Sequence, residues 1–230
     1  LIAGLLGIVI TGDLFNVFVF LEISSLASYS LVALGSNNKA LISAFRYLIL
    51  GTLGATFILI GIGLLYSATG TLNMSDIAVR IDDQLENRVI LSAFAFLMVG
   101  ICLKAALFPL HTWLPGAYAY APSIVTALLA GTATKVSAYL MLRLVIVFGP
   151  TFLYSNFPIT QIIIYSSLLG ILAGSALALA QTDAKKILAY SSVAHIGYVL
   201  LGIGLGGTLG LTGSLVHIFG HSLAKCAAFL

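Results

Sequence analysis

The sequence predicts an all-α, polytopic bundle of transmembrane helices with broken segments, and three observations predict it. Sixty per cent of the residues are apolar and 7% are charged, against about 25% charged in an ordinary soluble domain. The apolar residues come in runs of the length a helix needs to span the roughly 30 Å hydrocarbon core, about 20 residues, which makes seven or so spans in a chain of this size. Those runs are also too long for a transmembrane β-barrel, whose strands are about ten alternating residues. The net charge of +3 comes from few residues and provides no footing for nucleic acid.

Taken in order against turn and charge punctuation, residues 1–11 form the tail of one span, and spans follow near 13–35 and 40–66. Residues 67–88 contain NMSDIAVRIDDQLENR, whose mixed charges read as a surface loop with one short interfacial helix. Further spans lie near 89–108, 122–148, 159–181, 187–206 and 209–230. One transmembrane domain covers 1–230, with no soluble domain and no solenoid repeat. Leu1 and Leu230 both fall inside apolar runs, with no initiator Met or basic signal region, so the chain reads as truncated at both ends. Alternate loops lie on opposite sides. Lys39, Lys185 and Lys186, with Arg46 just inside, share one side, and Arg80, Arg88 and Arg143 share the other; the count of four against three weakly favours the first as cytoplasmic.

Glu22, Lys104, Lys135 and Lys225 stand well inside apolar segments, on four different spans. A charge at the centre of a spanning helix costs roughly 2.5 to 3.5 kcal/mol on the insertion scale, so each needs a reason. Long charged side chains near helix ends snorkel to the interface, which accounts for Arg46, Arg143 and Asp13. The deep four read instead as facing a bundle interior where they neutralise one another and exchange protons. Burial disfavours the charged form of amine and carboxyl alike, which brings proton exchange within reach near neutral pH. Glu22 and Lys104 fit a pair that opens and closes.

Near the end, LVHIFGHSLAKCAAFL places His217, His221 and Lys225 at i, i+4 and i+8, on one helix face. Such a stripe suits a proton relay; hydrogen-bonded interior histidines without a transport role, or two His sharing a metal, are the competing readings. No acidic third ligand accompanies them locally, so no metal is expected. Pro109, Pro115 and Pro122 follow Lys104 in AALFPLHTWLPGAYAYAPS, where proline should break the segment and let it re-form as a short turn. Irregular backbone survives in a membrane only against protein or a wet cavity. His111 and Trp113 either line that break or anchor the turn at the interface.

Several patterns carry less. Cys102 and Cys226 lie in apolar runs and cannot hold an iron–sulfur cluster by cysteines alone, so no cofactor is expected. GIGLGG at 202–207 follows an apolar span rather than a strand, unlike a nucleotide loop. Gly170 with Gly174, and Gly206 with Gly210, have the spacing of close helix packing. Asn73–Met74–Ser75 is a glycosylation triplet without secretory context. Asp13 serves either a cation entrance or simply the dipole at a helix start.

TGDLFNVFVFLE, ICLKAALFPLHTWLPGAYAYAPS, ATKVSAYLMLR, DAKKILAYSSVAHIGYVLLG and HIFGHSLAKCAAFL, in that order, resemble the antiporter-like membrane subunits shared by respiratory complex I and Mrp-type cation/proton antiporters. The first of these looks closest to the D-type subunits of Mrp antiporters and their relatives in membrane-bound hydrogenases. The resemblance covers essentially the whole chain and implies a fragment, from the end of the fourth helix through most of the eleventh, of a protein with about fourteen helices. It implies that Glu22 is the fifth-helix glutamate, Lys104 the seventh-helix lysine and Lys135 the eighth-helix lysine of a central hydrophilic axis. His217, His221 and Lys225 then form the polar face of a broken eleventh helix, and His195 belongs to the AYSSVAHIGY signature of the tenth.

The expected function is proton translocation along this axis in a multisubunit Na⁺/H⁺ antiporter of the cell membrane, with H⁺ and Na⁺ as the ions and other membrane subunits as partners. The alternative within the family is a proton-pumping subunit of NADH:quinone oxidoreductase or a membrane-bound hydrogenase, with the redox catalysis on partner chains. In neither case is the chain an enzyme by itself. An inert scaffold would tolerate loss of the deep charges, and a quinone site has no separate signature here.

Overall fold

A computed structural model describes residues 1–82, 84, 87–154 and 159–230. All regular structure among them is helical. Helix α1 (Ile2–Ile10) leads into α2 (Leu14–Ala33), where the Asp13 carboxylate accepts from Asn16 N at 2.9 Å and caps the helix. A capping oxygen satisfies a backbone donor that has no partner inside the helix. Asp13 thus has a local role, and its backbone pairs with Asn73 in an isolated bridge. Helix α3 (Asn38–Thr69) has 32 residues, about 48 Å at 1.5 Å per residue, and so exceeds the roughly 30 Å hydrocarbon thickness. It ends at Gly70 with φ 71°, a left-handed conformation that glycine adopts without strain.

The surface loop does contain one short helix, α4 (Met74–Asp82). Met74, Ile77 and Ile81 are buried at i, i+3 and i+7, and this apolar stripe packs on α8 (Thr134–Tyr154). The loop acids Asp83 and Glu86 lie outside the described residues. Asn73 Oδ1 accepts from Ser75 N at 2.9 Å, so the glycosylation triplet is the start of this helix.

Helix α5 (Arg88–Ala105) stops at Ala106, which has φ 60°. The sequence places the break at the prolines; the backbone turns three residues before Pro109. After the turn, α6 (Leu114–Tyr120) re-forms with Pro115 in its first turn, where its missing N–H is harmless. Trp113 is buried, donates from Nε1 to Leu103 O at 2.9 Å and stacks on Tyr47 at 4.1 Å. It anchors the turn from inside the bundle. The span expected near 122–148 is one helical stretch, Ser123–Pro150, made of α7 (Ser123–Leu128), a π turn over Leu129–Ala133, and α8 as far as its kink at Gly149 (φ 73°) ahead of Pro150.

Helices α9 (Ile159–Leu179), α10 (Ala184–Leu205) and α11 (Gly207–Phe229) complete the bundle. The last is continuous over Gly207–Phe229, so the break implied for it does not fall within those residues. Gly174 faces α10 so closely that an added Cβ would lie 2.7 Å from Ala194 N, as its spacing predicts. Gly206 instead ends α10, with φ 66°. Among the described residues six helical stretches are long and apolar enough to cross a membrane: α2, α3, α5, Ser123–Pro150, α9 and α10. The 23-residue α11 carries the histidines and Lys225 and is more polar.

The two charged ends assort as the alternation of loops requires. Lys39 and Lys186 both lie over the Tyr120 ring, at 5.8 and 5.7 Å, and Lys185 donates to Ala121 O at 3.2 Å. At the opposite end Arg143 donates to Ile8 O, Val9 O and Thr11 O at 3.2, 3.2 and 2.8 Å. Arg143 therefore does not snorkel; it satisfies the carbonyls that α1 leaves without partners at its C-terminus.

Candidate functional site

Glu22 lies in the middle of α2, and its Oε1 is 3.7 Å from Lys104 Nζ. The Lys104 side chain is 6% exposed and that of Glu22 27%. Glu22 Oε1 is itself buried with no hydrogen-bond partner among the described residues, while the ammonium donates to Ser25 Oγ at 2.7 Å and Tyr29 OH at 3.3 Å. The lysine is thus attracted by a carboxylate but hydrogen-bonded to two neutral hydroxyls. This follows from α2 geometry: Glu22, Ser25 and Tyr29 stand at i, i+3 and i+7 on one face. Their spacing is the signal that sequence reasoning could have used to find Ser25 and Tyr29, and did not. Lys104 itself occupies the last turn of α5, beside the break rather than deep within a helix. There the carbonyls of the helix end favour a cation.

Behind this pair stands an aromatic bracket. Tyr29 meets Tyr47 edge-on at 4.7 Å, and Tyr47 stacks on Trp113. Trp113 in turn holds the Leu103 carbonyl next to Lys104. The bracket connects the lysine's hydroxyl acceptor to the turn that ends its helix.

Lys135 follows the π turn at once. Its Nζ donates to Ala130 O at 2.5 Å and to Thr134 Oγ1 at 3.3 Å. A wide turn leaves carbonyls without regular partners, and π turns recur at functional sites for that reason. The turn docks on α11 through Gly131: Ser222 Oγ donates to Gly131 O, and a Cβ on Gly131 would lie 2.1 Å from Cys226 Sγ. A Cβ there would have to displace the Cys226 thiol, and the close approach brings Lys135 within electrostatic range of Lys225 and His221.

On α10 and α11 the histidines do converge. His195 Nδ1 and His217 Nε2 are 3.0 Å apart, and the His195 and His221 rings stack at 4.3 Å. Both ring nitrogens of His221 are buried without a partner among the described residues. Lys225, 5% exposed, donates to Leu188 O at 2.7 Å and to Ser191 Oγ. Ser191 stands one turn before His195 and was not anticipated. The groups share a groove of about 520 Å³ between α10 and α11. Among the described residues no cluster of three or more His, Cys, Asp or Glu is arranged to hold a metal ion.

His111 is placed elsewhere, in the turn after α5, against Phe108 and Tyr190 at 5.3 and 6.3 Å, with Nδ1 unpartnered among the described residues. Asp13 caps α2 away from the lysines. Glu22–Lys104 is the ion pair among the described residues, and no hydrogen bond there joins it to Lys135 or Lys135 to Lys225. The polar side chains therefore fall into three groups within the helical bundle: Glu22 with Lys104, Lys135 at the π turn, and the histidines with Lys225.

Such a bundle, with charges at its helix breaks, defines a multi-pass integral membrane protein. The chain belongs to the NADH:quinone oxidoreductase/Mrp antiporter transmembrane family, whose model matches residues 11–230. It is 47% identical to the N-type subunit of NADH-quinone oxidoreductase from Desulforudis audaxviator over 227 residues, 99% of this chain and 45% of that protein. It is 36% identical to the D-type subunit of the Na⁺/H⁺ antiporter from Alkalihalophilus pseudofirmus over 237 residues, 100% of this chain and 46% of that one. The fold matches a chain of the Mrp complex from Dietzia sp. with a TM-score of 0.90 at 31% identity, covering 99% of this chain and 42% of that chain. The chain thus spans somewhat under half the length of the curated relatives it matches.

Proposed function

We propose that this chain carries protons across the membrane as part of an antiporter-like subunit. Glu22 and Lys104 form the switching pair, Lys135 the middle station, and His195, His217, His221 and Lys225 the far stretch. The observation that carries the reading is the divided allegiance of Lys104: the carboxylate attracts it from 3.7 Å while Ser25 and Tyr29 hold its protons. A lysine with two alternative sets of partners can shift between them as the charge next to it changes, and so pass on or retain a proton. Water reaching the breaks at Ala106 and Leu129–Ala133 bridges the stations, since irregular backbone in a membrane borders protein or a wet cavity.

Two energy sources fit the family. Exchange against Na⁺ in an Mrp-type complex is the reading that the sequence favours, and the 36% identity to a Na⁺/H⁺ antiporter protein supports it. The 47% identity to a NADH-quinone oxidoreductase protein supports redox-driven pumping instead. Proton flux in vesicles carrying the full assembled complex separates them. Flux that requires Na⁺ and no electron donor identifies an antiporter, and flux that requires the donor a pump module. In either case Lys135→Met and Lys225→Met should each stop most of the flux. Full flux in both variants, with assembly intact, would overturn the axis itself.

A further inference from the structure

Helix α3 carries Gly51, Gly54 and Gly61 within its length. Glycine is less favourable than alanine inside a helix, so each position calls for a packing reason. Gly54 and Gly61 share one, the close approach of α3 to α5. A Cβ on Gly54 would lie 3.2 Å from Gly100 O, and one on Gly61 would lie 2.7 Å from Leu97 Cγ and 2.9 Å from Ala93 O. Gly51 faces α2 instead. A Cβ there would fall on the hydroxyl oxygen of Tyr29 and 2.8 Å from Cζ, the ring carbon that bears it, where an ordinary contact needs about 3.5 Å.

Tyr47 and Gly51 stand at i and i+4, on one face of α3. Tyr47 meets the buried Tyr29 ring edge-on at 4.7 Å and is itself stacked on Trp113, while the bare backbone at Gly51 receives the hydroxyl. That hydroxyl accepts from Lys104 Nζ at 3.3 Å, at the long end of hydrogen-bond distances. A methyl group on residue 51 cannot coexist with it there. Along α2, Glu22 and Tyr29 are seven residues apart, about 10 Å, with Ser25 between them, and Lys104 reaches all three. Without the Tyr29 hydroxyl the ammonium is left with Ser25 and the carboxylate, and the balance of its partners moves to Glu22.

We propose that Gly51 is a positioning residue for the Glu22–Lys104 pair: its missing side chain seats the Tyr29 hydroxyl where Lys104 can donate to it, and so keeps the lysine from settling on Glu22. The inference rests on the proton reading of that pair, and Gly51 acts in it through Tyr29.

The test measures coupled proton flux and thermal stability of the full assembled complex in vesicles, for Gly51→Ala, Tyr29→Phe and the double variant. Each single variant should lose about tenfold or more in flux, as removal of one hydrogen bond to a charged group allows. The double variant should be no slower than Tyr29→Phe, while its melting temperature rises above that of Gly51→Ala because the colliding oxygen is gone. Gly61→Ala, which meets α5 rather than Tyr29, should cost stability without that loss of flux. Electron cryo-microscopy of the Gly51→Ala complex should show the Tyr29 hydroxyl beyond hydrogen-bond distance of Lys104. Full flux in Gly51→Ala or in Tyr29→Phe, a further loss in the double variant, or an equal loss in Gly61→Ala overturns the positioning role. A hydroxyl still on Lys104 in the Gly51→Ala complex overturns it as well. Should Gly51→Ala fail to assemble, the double variant compared with Tyr29→Phe still decides: equal flux supports the role and a further loss refutes it. Failure of the proton reading is told apart by Glu22→Gln and Lys104→Gln, which then keep full flux; failure of the positioning alone leaves both of them slow.

Discussion

Glu22→Gln removes one charge and almost no volume from the pair with Lys104, and the structure sets the size of the effect. At 3.7 Å the Coulomb energy is about 1 kcal/mol at the dielectric of water and about 4.5 kcal/mol at an effective value of 20. Glu22 is 27% exposed and Lys104 6%, so a value between these limits, about 2 to 3 kcal/mol, is appropriate. If the pair governs the slow step, a change of that size lowers coupled proton flux by about 30- to 160-fold. The assay is dye-reported acidification of vesicles carrying the assembled complex, run on Glu22→Gln, Lys104→Gln and the double variant. A shared step makes the double variant no slower than the worse single one. Unchanged flux in Glu22→Gln, or single losses that multiply in the double variant, would refute the switch. The complex must also assemble normally, which size-exclusion profiles check.

Three further outcomes follow from packing. Gly131→Ala should separate the π turn from α11 and destabilise by about 1 to 3 kcal/mol, because the new methyl meets Cys226 Sγ; Cys226→Ala in the same chain should restore much of the thermal stability. Gly174→Ala has no such remedy, since its neighbour is the α10 backbone at Ala194, and its melting temperature should fall whatever else is changed on that face. Arg143→Met leaves the α1 carbonyls of Ile8, Val9 and Thr11 without their donor. Hydrogen bonds to a charged group contribute about 1.5 to 3 kcal/mol each, so this variant should lose stability in thermal unfolding, with Arg143→Lys intermediate. A melting curve for Arg143→Met that matches the parent would show that the capping contributes nothing.

What the sequence determined by itself was the membrane bundle, its spans and the residue types that line its interior. These are local properties. Apolar runs are read from composition and length, the His217, His221 and Lys225 stripe from helical spacing, and a buried charge from its apolar surroundings. The Asp13 cap and the short helix at Met74–Asp82 were legible in the same way. Tertiary structure decided where the helices break and whom each charge addresses. Prolines announced a break after Lys104, and packing of Trp113 on Tyr47 and Leu103 O accompanies its place at Ala106. Gly131 within Leu129–Ala133 does not by itself announce a π turn. Arg143 looked like a snorkelling side chain because its acceptors lie more than a hundred residues away in α1. Lys104 likewise finds Ser25 and Tyr29 on α2, and Lys225 finds Leu188 O and Ser191 on α10. The physical reason is the same in each case: a periodic pattern sets which face a side chain occupies, but a hydrogen bond also needs an acceptor about 3 Å away, and which helix supplies it is settled only when the bundle packs.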